Sequence, residues 1–253
     1  MKLLMLMILS ASAPSAAYAS PIWIETGVGA ARPSTALTQT NIAIAPDLVT
    51  STAQLQPKRG GKAIISPYVS VMRDGPAHLR FRLTYRYFAE SSAGNPDPSI
   101  VFPPCSPPPG AVCAMYVILV PGRQMSYSSN AAYLGLTREF PITKTLTFEA
   151  DLDAGLAVTK AHGHMTTSFE TGIQNDPLPS FRYTANERLS FSYGVGAGLS
   201  AKITPDIRVV GKVNFFDLGN ARTGISDNLL GSYETLSGHP TAVSGSLGLR
   251  IKL

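Results

Sequence analysis

Three carboxylates occur at alternate positions in one short segment: Glu149, Asp151 and Asp153. In an extended strand such residues share a face, and crowded carboxylates can take different pKa values, as acid/base catalysis requires. Basic residues with the same spacing occur elsewhere in the chain, among them Arg80, Arg82 and Arg86. Nearby arginines would suppress the pKa difference, so the pattern favours a charge network and no catalytic residues.

Charged residues across the chain alternate in this way with apolar ones. If these segments are strands of one closed sheet, their charged side chains share its interior, where opposite charges neutralise one another. The predicted charge network comprises Glu25, Arg80, Arg82, Arg86, Glu149, Asp151, Asp153, Arg188, Lys202, Arg208, Lys212, Arg250 and Lys252.

His162 and His164 are a second chemical candidate, because paired histidines can bind a metal. Around them there is no cysteine, and of the carboxylates only the more distant Glu170 lies in range. We therefore expect two solvated loop histidines, with no metal and no cofactor.

The cysteines, Cys105 and Cys113, lie close together in a proline-rich segment. Residues 1–19 precede them, with Lys2, an apolar core and the small-residue end Ala17-Tyr18-Ala19. This is the pattern of a secretory signal peptide cleaved after Ala19. In an oxidising compartment, a disulfide between the two cysteines is favoured over a metal pair.

Eight segments that alternate between apolar and polar residues must position these groups. The C-terminal one runs without a break to Leu253, and most reach the length of about ten residues that a membrane-crossing strand needs. The predicted strands are residues 21–32, 62–72, 77–88, 124–139, 145–159, 188–203, 207–215 and 241–253.

Long and short connections alternate between these strands. Long loops are predicted at 33–61, 89–110, 160–187 and 220–238, and short turns near Asp74, Pro141 and Pro205. Residues 113–121 are an apolar segment that leaves eight or ten strands open. The asymmetry matches an outer-membrane barrel with long external loops and short periplasmic turns.

Residues 20–253 are therefore predicted to form one all-β domain, an eight-stranded antiparallel up-and-down transmembrane β-barrel. A soluble barrel would fill its interior with apolar side chains and turn its charges outward. Here the charges are predicted inside, since an Arg or Lys facing lipid at mid-membrane costs about 2 to 4 kcal/mol. The formal net charge of +5 is not clustered, so nucleic-acid binding is not expected.

The last third of the chain resembles the small outer-membrane β-barrels: the opacity-type surface antigens and the OmpA-like and OmpX-like barrels of the porin family. The resemblance rests on Gly198-Leu199 before Ile203-Thr204-Pro205, on the segment 213–219 with Phe216-Asp217-Leu218-Gly219, and on the segment 246–251. It implies a Gram-negative cell outer membrane. It also implies contact with the barrel-assembly machinery during insertion, although such proteins usually end on Phe or Trp rather than on Leu253.

The function predicted from these features is structural or surface-interacting, as in an adhesin or surface antigen. Expected partners are outer-membrane lipid and lipopolysaccharide, and a host or cell-surface ligand bound by the external loops. One alternative is a narrow ion or solute pore. The other is a lipid-modifying enzyme, for which Ser168, a loop histidine and Glu170 could be assembled, although the His-x-Ser phrase of lipid A deacylases does not occur.

Overall fold

The computed structural model describes residues 20–43, 50–55, 62–95, 99–101, 118–120, 122–166, 181–227 and 232–253. The predicted signal peptide, Cys105, Cys113, Ser168 and Glu170 lie outside these ranges. Within them, no helix is long and apolar enough to cross a membrane.

The described chain is all strand and turn. Its strands are β1 (Ile22–Ser34), β2 (Leu37–Ala43), β3 (Thr50–Leu55), β4 (Ile64–Asp74), β5 (Leu79–Asn95), β6 (Ser99–Val101), β7 (Ile118–Val120), β8 (Gly122–Pro141), β9 (Leu146–Thr166), β10 (Phe181–Thr204), β11 (Ile207–Asp217), β12 (Ala221–Arg222), β13 (Ser226–Asp227), β14 (Ser232–Gly238) and β15 (Thr241–Lys252).

Eight of these strands close a barrel in the order β1-β15-β11-β10-β9-β8-β5-β4, and every neighbouring pair is antiparallel. The predicted eight-stranded up-and-down barrel is confirmed. Ten strands are ruled out, because β6 and β7 pair with each other outside the ring.

The strands are strongly tilted, as the register shows. A continuous row of paired residues starts at Ile207 and runs once around the ring to Asp217: Ile207, Ile251, Ile24, Val71, Leu83, Leu134, Ala154, Tyr193 and Asp217. One circuit therefore advances ten positions along β11. Eight strands leave an interior just wide enough for side chains to fill.

The outer wall is apolar. Large side chains face outward on all eight strands, with Leu134, Leu247 and Leu189 exposed by 72%, 68% and 66%. Aromatic side chains lie at the ends of this belt, such as Phe140 and Phe148 near the short turns. An outward apolar band with aromatic edges is typical of a barrel surrounded by lipid.

The short turns agree with the prediction. They comprise residues 75–78, 142–145 and 205–206. The first residue of β1 and the last residue of β15 lie on the same side of the barrel as these turns. Ala77 and His78 adopt positive φ angles of 55° and 61° in the first turn. We call this side the turn end and the opposite side the outer end.

The predicted bounds of the four long loops are wrong, because much of each predicted loop is strand. β5 continues to Asn95, β9 continues to Thr166 and β10 begins at Phe181. The segments predicted as the first and fourth loops contribute a sheet ordered β12-β14-β2-β3, with β13 paired to β14. Residues such as Thr38, Gln39 and Thr40 in β2 are polar on both faces, so this sheet lacks the alternation that marks the barrel strands.

This sheet and the outer halves of β8, β9 and β10 form what we call the upper tier. Apolar side chains from both parts meet in one buried cluster: Leu37, Met125, Tyr127, Ala161, Met165, Tyr183, Ala221 and Leu236. The barrel wall thus extends beyond the apolar belt into a second packed layer.

Candidate functional site: the charged lumen and the upper tier

Arg250 is the centre of the barrel interior and is fully buried. Its Nη2 lies 2.6 Å from Glu25 Oε2, and its Nη1 lies 2.7 Å from Glu149 Oε1. A second contact of 2.8 Å joins Nη2 to Glu149 Oε2. The planar guanidinium can serve two carboxylates at once because its donors form a fixed fork.

Lys212 and Arg82 extend this arrangement. Lys212 Nζ lies 3.0 Å from Asp151 Oδ2 and 3.5 Å from both Glu25 and Glu149. Arg82 Nη2 donates to both oxygens of Asp153 at 2.9 Å, and its Nη1 lies 3.1 Å from Asp151. We call these seven residues the lumen network: Glu25, Arg82, Glu149, Asp151, Asp153, Lys212 and Arg250.

A smaller group closes the turn end of the lumen. Arg80 pairs with Asp74, and its Nη1 lies 2.7 Å from Glu139 Oε1. Arg208 Nη1 reaches the same Glu139 oxygen at 3.3 Å. Neither Asp74 nor Glu139 belongs to the charge network predicted from the sequence, although Glu139 shares the inward parity of Thr137 on β8.

Three cations predicted for the lumen lie elsewhere. Lys202 and Lys252 are exposed at the turn end, where Lys252 is 4.0 Å from the exposed Asp206. Arg188 is exposed at the outer end of β10, beyond the last residue of β11 that pairs with it. Alternation sets the face of a residue but not its height, so residues near strand ends leave the lumen.

Arg86 is buried without a carboxylate at ion-pair distance among the described residues. Its guanidinium instead stacks over the rings of Tyr68, at 4.5 Å, and Phe216, at 4.8 Å. Cation–π contacts of this kind stabilise a desolvated arginine.

Aromatic rings lie directly above the lumen network. Phe216 is 5.4 Å from Phe88 and 5.5 Å from Tyr133 between ring centres. Tyr68 connects the two levels by donating a 2.9 Å hydrogen bond to Glu25. We call Tyr68, Arg86, Phe88, Tyr133 and Phe216 the aromatic layer.

Little free space is left between the two levels. The cavity bounded by Glu25, Arg82, Lys212, Arg86 and Phe216, among others, has a volume of about 10 Å³. That is close to the minimum that holds one water molecule. At this level side chains of the described residues fill the lumen.

The upper tier has its own buried charge pair. Arg123 on β8 donates to Glu234 on β14, with 2.6 Å between Nε and Oε1, and Tyr183 on β10 donates to the same oxygen. Burial, then the hydrogen bond to Glu234, raises the pKa of Tyr183. Burial lowers the pKa of Arg123, but the Glu234 hydrogen bond and charge outweigh it and raise that pKa overall. The pair attaches the outer sheet to the barrel wall.

His162 and His164, which were predicted on a loop, lie in strand β9 with their side chains partly exposed. His162 Nε2 lies 3.9 Å from Glu90 on the surface. Both ring nitrogens of His239 are occupied, Nε2 by Asp217 at 2.8 Å and Nδ1 by Asn220 at 3.1 Å. Within the described residues, no three metal-binding side chains come together.

The comparisons with known proteins bear on the fold. No protein-family model matches the chain, and no curated protein does. Among solved structures, the outer-membrane protein OprG of Pseudomonas aeruginosa matches with a TM-score of 0.50 and 11% identity, over 93% of this chain and 96% of that one. The chain has the fold of a small outer-membrane β-barrel.

Two further matches are weaker in structure. Neisserial surface protein A gives a TM-score of 0.40 at 14% identity, over 92% of this chain and 97% of that one. The outer-membrane protease OmpT of Escherichia coli gives 0.45 at 12% identity, over the same two shares. Sequence identities this low support a shared fold and say nothing about a shared activity.

Proposed function

We propose that the protein is a closed outer-membrane barrel that displays its upper tier at the cell surface, with a structural or surface-interacting role and no enzymatic activity. The observation that carries the proposal is the packed lumen, with its cavity of about 10 Å³, beneath a folded tier. A lumen filled by side chains disfavours transport, and the exposed surface of the upper tier is then the part of the protein available to a partner.

The apolar belt supports the membrane location. It surrounds all eight strands, and the lumen network neutralises the charges behind it. In the proposed orientation the short turns face the periplasm and the upper tier faces outward. Removal of residues 1–19 and a Cys105–Cys113 disulfide belong to the same proposal, as do insertion by the barrel-assembly machinery and contact with lipopolysaccharide and a host or cell-surface ligand.

Orientation can be tested by labelling intact cells with a membrane-impermeant maleimide. In a Cys105→Ser/Cys113→Ser background, Ser34→Cys lies at the outer end and Asp206→Cys at the turn end, and both native side chains are exposed. We expect Ser34→Cys to react on intact cells and Asp206→Cys to react only after the outer membrane is permeabilised. The reverse pattern, or equal labelling of both, would contradict the proposed orientation.

The closed lumen can be tested in planar bilayers. The refolded protein should insert, as shown by heat-modifiable gel migration, without stable single-channel currents. Reproducible channels from the unmodified protein would show that the lumen network is not a plug.

A further inference from the structure

A groove lies on the outer side of the upper tier, where β2, β12 and β14 pass the outer part of β10. It has a volume of about 570 Å³. Its polar lining includes Thr38, Thr40, Arg188, Asn220, Arg222 and His239.

Two permanent positive charges in this groove lack an acidic partner. Neither Arg188 nor Arg222 has a carboxylate at ion-pair distance among the described residues, and Arg222 donates to the hydroxyl of Thr235 at 3.2 Å. Of the acids nearby, Glu187 lies 3.8 Å from Lys160, and Asp217 lies 2.8 Å from His239 of the groove lining.

The arginines of the groove differ from those of the lumen in their partners. In the lumen, Arg82 and Arg250 are each satisfied by two carboxylates. In the groove, two guanidinium groups line one recess with hydroxyl and amide side chains and with no carboxylate in its lining. Planar arginines bind phosphate oxygens through paired hydrogen bonds, so the groove suits a phosphate ester.

The position of the groove indicates the source of that phosphate. Leu189 follows Arg188 directly and is exposed by 66%, and Phe191 is exposed by 64% on the same outward face of β10. Val243 on β15, paired with Phe215 of β11, is another exposed member of the apolar belt, at 53%. The groove therefore lies at the upper edge of the apolar belt, at the level of lipid headgroups.

We propose that the groove binds the phosphorylated headgroup of an outer-leaflet lipid, with the acyl chains of that lipid against Leu189 and Phe191. This inference rests on the proposed membrane location and names a site for the lipid contact. Basic residues at a membrane surface attract anionic headgroups in this way. A soluble anion would gain nothing from the adjoining apolar wall.

The test uses the refolded full chain in uncharged detergent micelles. Diphosphorylated lipid A, the same lipid without its phosphates, and inorganic phosphate are titrated separately, with bound lipid measured by native mass spectrometry. The double variant R188Q/R222Q is compared with R182Q, a control in which an exposed arginine on the same strand, outside the groove lining, loses its charge.

We expect the phosphorylated lipid to bind the unmodified protein on the order of tenfold more tightly than the dephosphorylated one, and R188Q/R222Q to lose that difference. R182Q should retain it. Unchanged affinity in R188Q/R222Q, or equal affinity for the dephosphorylated lipid, would overturn the proposal. Inorganic phosphate binding as tightly as lipid A would overturn the assignment to a lipid.

Failure of this site is distinguishable from failure of the proposed function. Heat-modifiable migration and flotation with lipid vesicles report whether each variant folds and inserts. A folded, inserted R188Q/R222Q variant with unaltered lipid binding would count against the groove alone.

Discussion

At the residue scale, Arg250 compensates the buried negative charges of the lumen. It contacts Glu25 and Glu149 from a position with no exposure. Removing one partner of a buried ion pair leaves an uncompensated charge, which is far costlier than replacing the whole pair by apolar groups. Lys212 reaches the same two carboxylates only at 3.5 Å.

We therefore expect Arg250→Met to reduce the free energy of unfolding by about 3 to 5 kcal/mol. Guanidinium unfolding in lipid vesicles, followed by heat-modifiable migration, measures the change. Arg208→Met is the matched control, because Arg208 is half-buried and pairs with Glu139 at 3.3 Å. It should cost about 1 kcal/mol or less.

The same experiment contains a rescue. Adding Glu149→Gln to Arg250→Met removes one stranded carboxylate and should recover part of the lost stability. If Arg250→Met unfolds at the same denaturant concentration as the unmodified protein, the lumen network is not what holds the interior together.

At the element scale, β10 accommodates β11 through a row of glycines on the inner wall. A Cβ on Gly198 would lie 2.5 Å from the backbone oxygen of Gly211 and 2.7 Å from Lys212 Cγ. A Cβ on Gly196 would lie 2.0 Å from Asn214 Oδ1. The missing side chains leave space for Lys212 and Asn214 to cross the lumen.

Gly198→Ala is therefore expected to destabilise the barrel by about 1 to 3 kcal/mol, as overpacking does. Gly245→Ala is the control, since a Cβ there meets nothing within 4 Å. It should be within about 0.5 kcal/mol of neutral. The denaturant midpoints of unfolding are compared between the two variants. Equal midpoints would contradict a steric role for the glycine row.

Element patterns also show how far the sequence could predict this structure. Leu79 to Tyr87 and Arg188 to Ile203 alternate regularly, because one face meets lipid and the other the lumen. In β2 and β14, buried apolar residues such as Leu37 and Leu236 stand among polar ones, so no period appears. The upper tier depends on pairing between segments distant in sequence, such as Thr38 with Ser237.

For the charged lumen, the sequence could predict which face of a strand a residue occupies but not its height along the barrel axis. Alternation placed Glu25, Arg82, Asp151 and Arg250 on the inner face, because lipid excludes them from the other one. It could not give the height of Arg188 or Lys252, which depends on where each strand ends and on the tilt. Asp74 pairs directly with Arg80 between β4 and β5, and Glu139 lies two positions beyond Thr137, the partner of Arg80 on β8.

At the scale of the whole molecule, side chains fill the barrel interior at four successive levels. The group around Glu139 lies at the turn end, and the lumen network follows it. The aromatic layer around Phe216 lies above the lumen network and is joined to it by the Tyr68–Glu25 hydrogen bond, and the buried cluster of the upper tier lies above that layer. Opening one level leaves the others in place.

This arrangement predicts that opening one level does not create a channel. Glu25→Ala/Arg250→Ala removes one ion pair of the lumen network without changing net charge, and Phe216→Ala removes the central ring of the aromatic layer. Each variant, and the two combined, should remain silent in planar bilayers, because the group around Glu139 and the buried cluster of the upper tier are unchanged. Heat-modifiable migration establishes that all three are folded. Stable currents from Glu25→Ala/Arg250→Ala or from Phe216→Ala alone would contradict closure at successive levels.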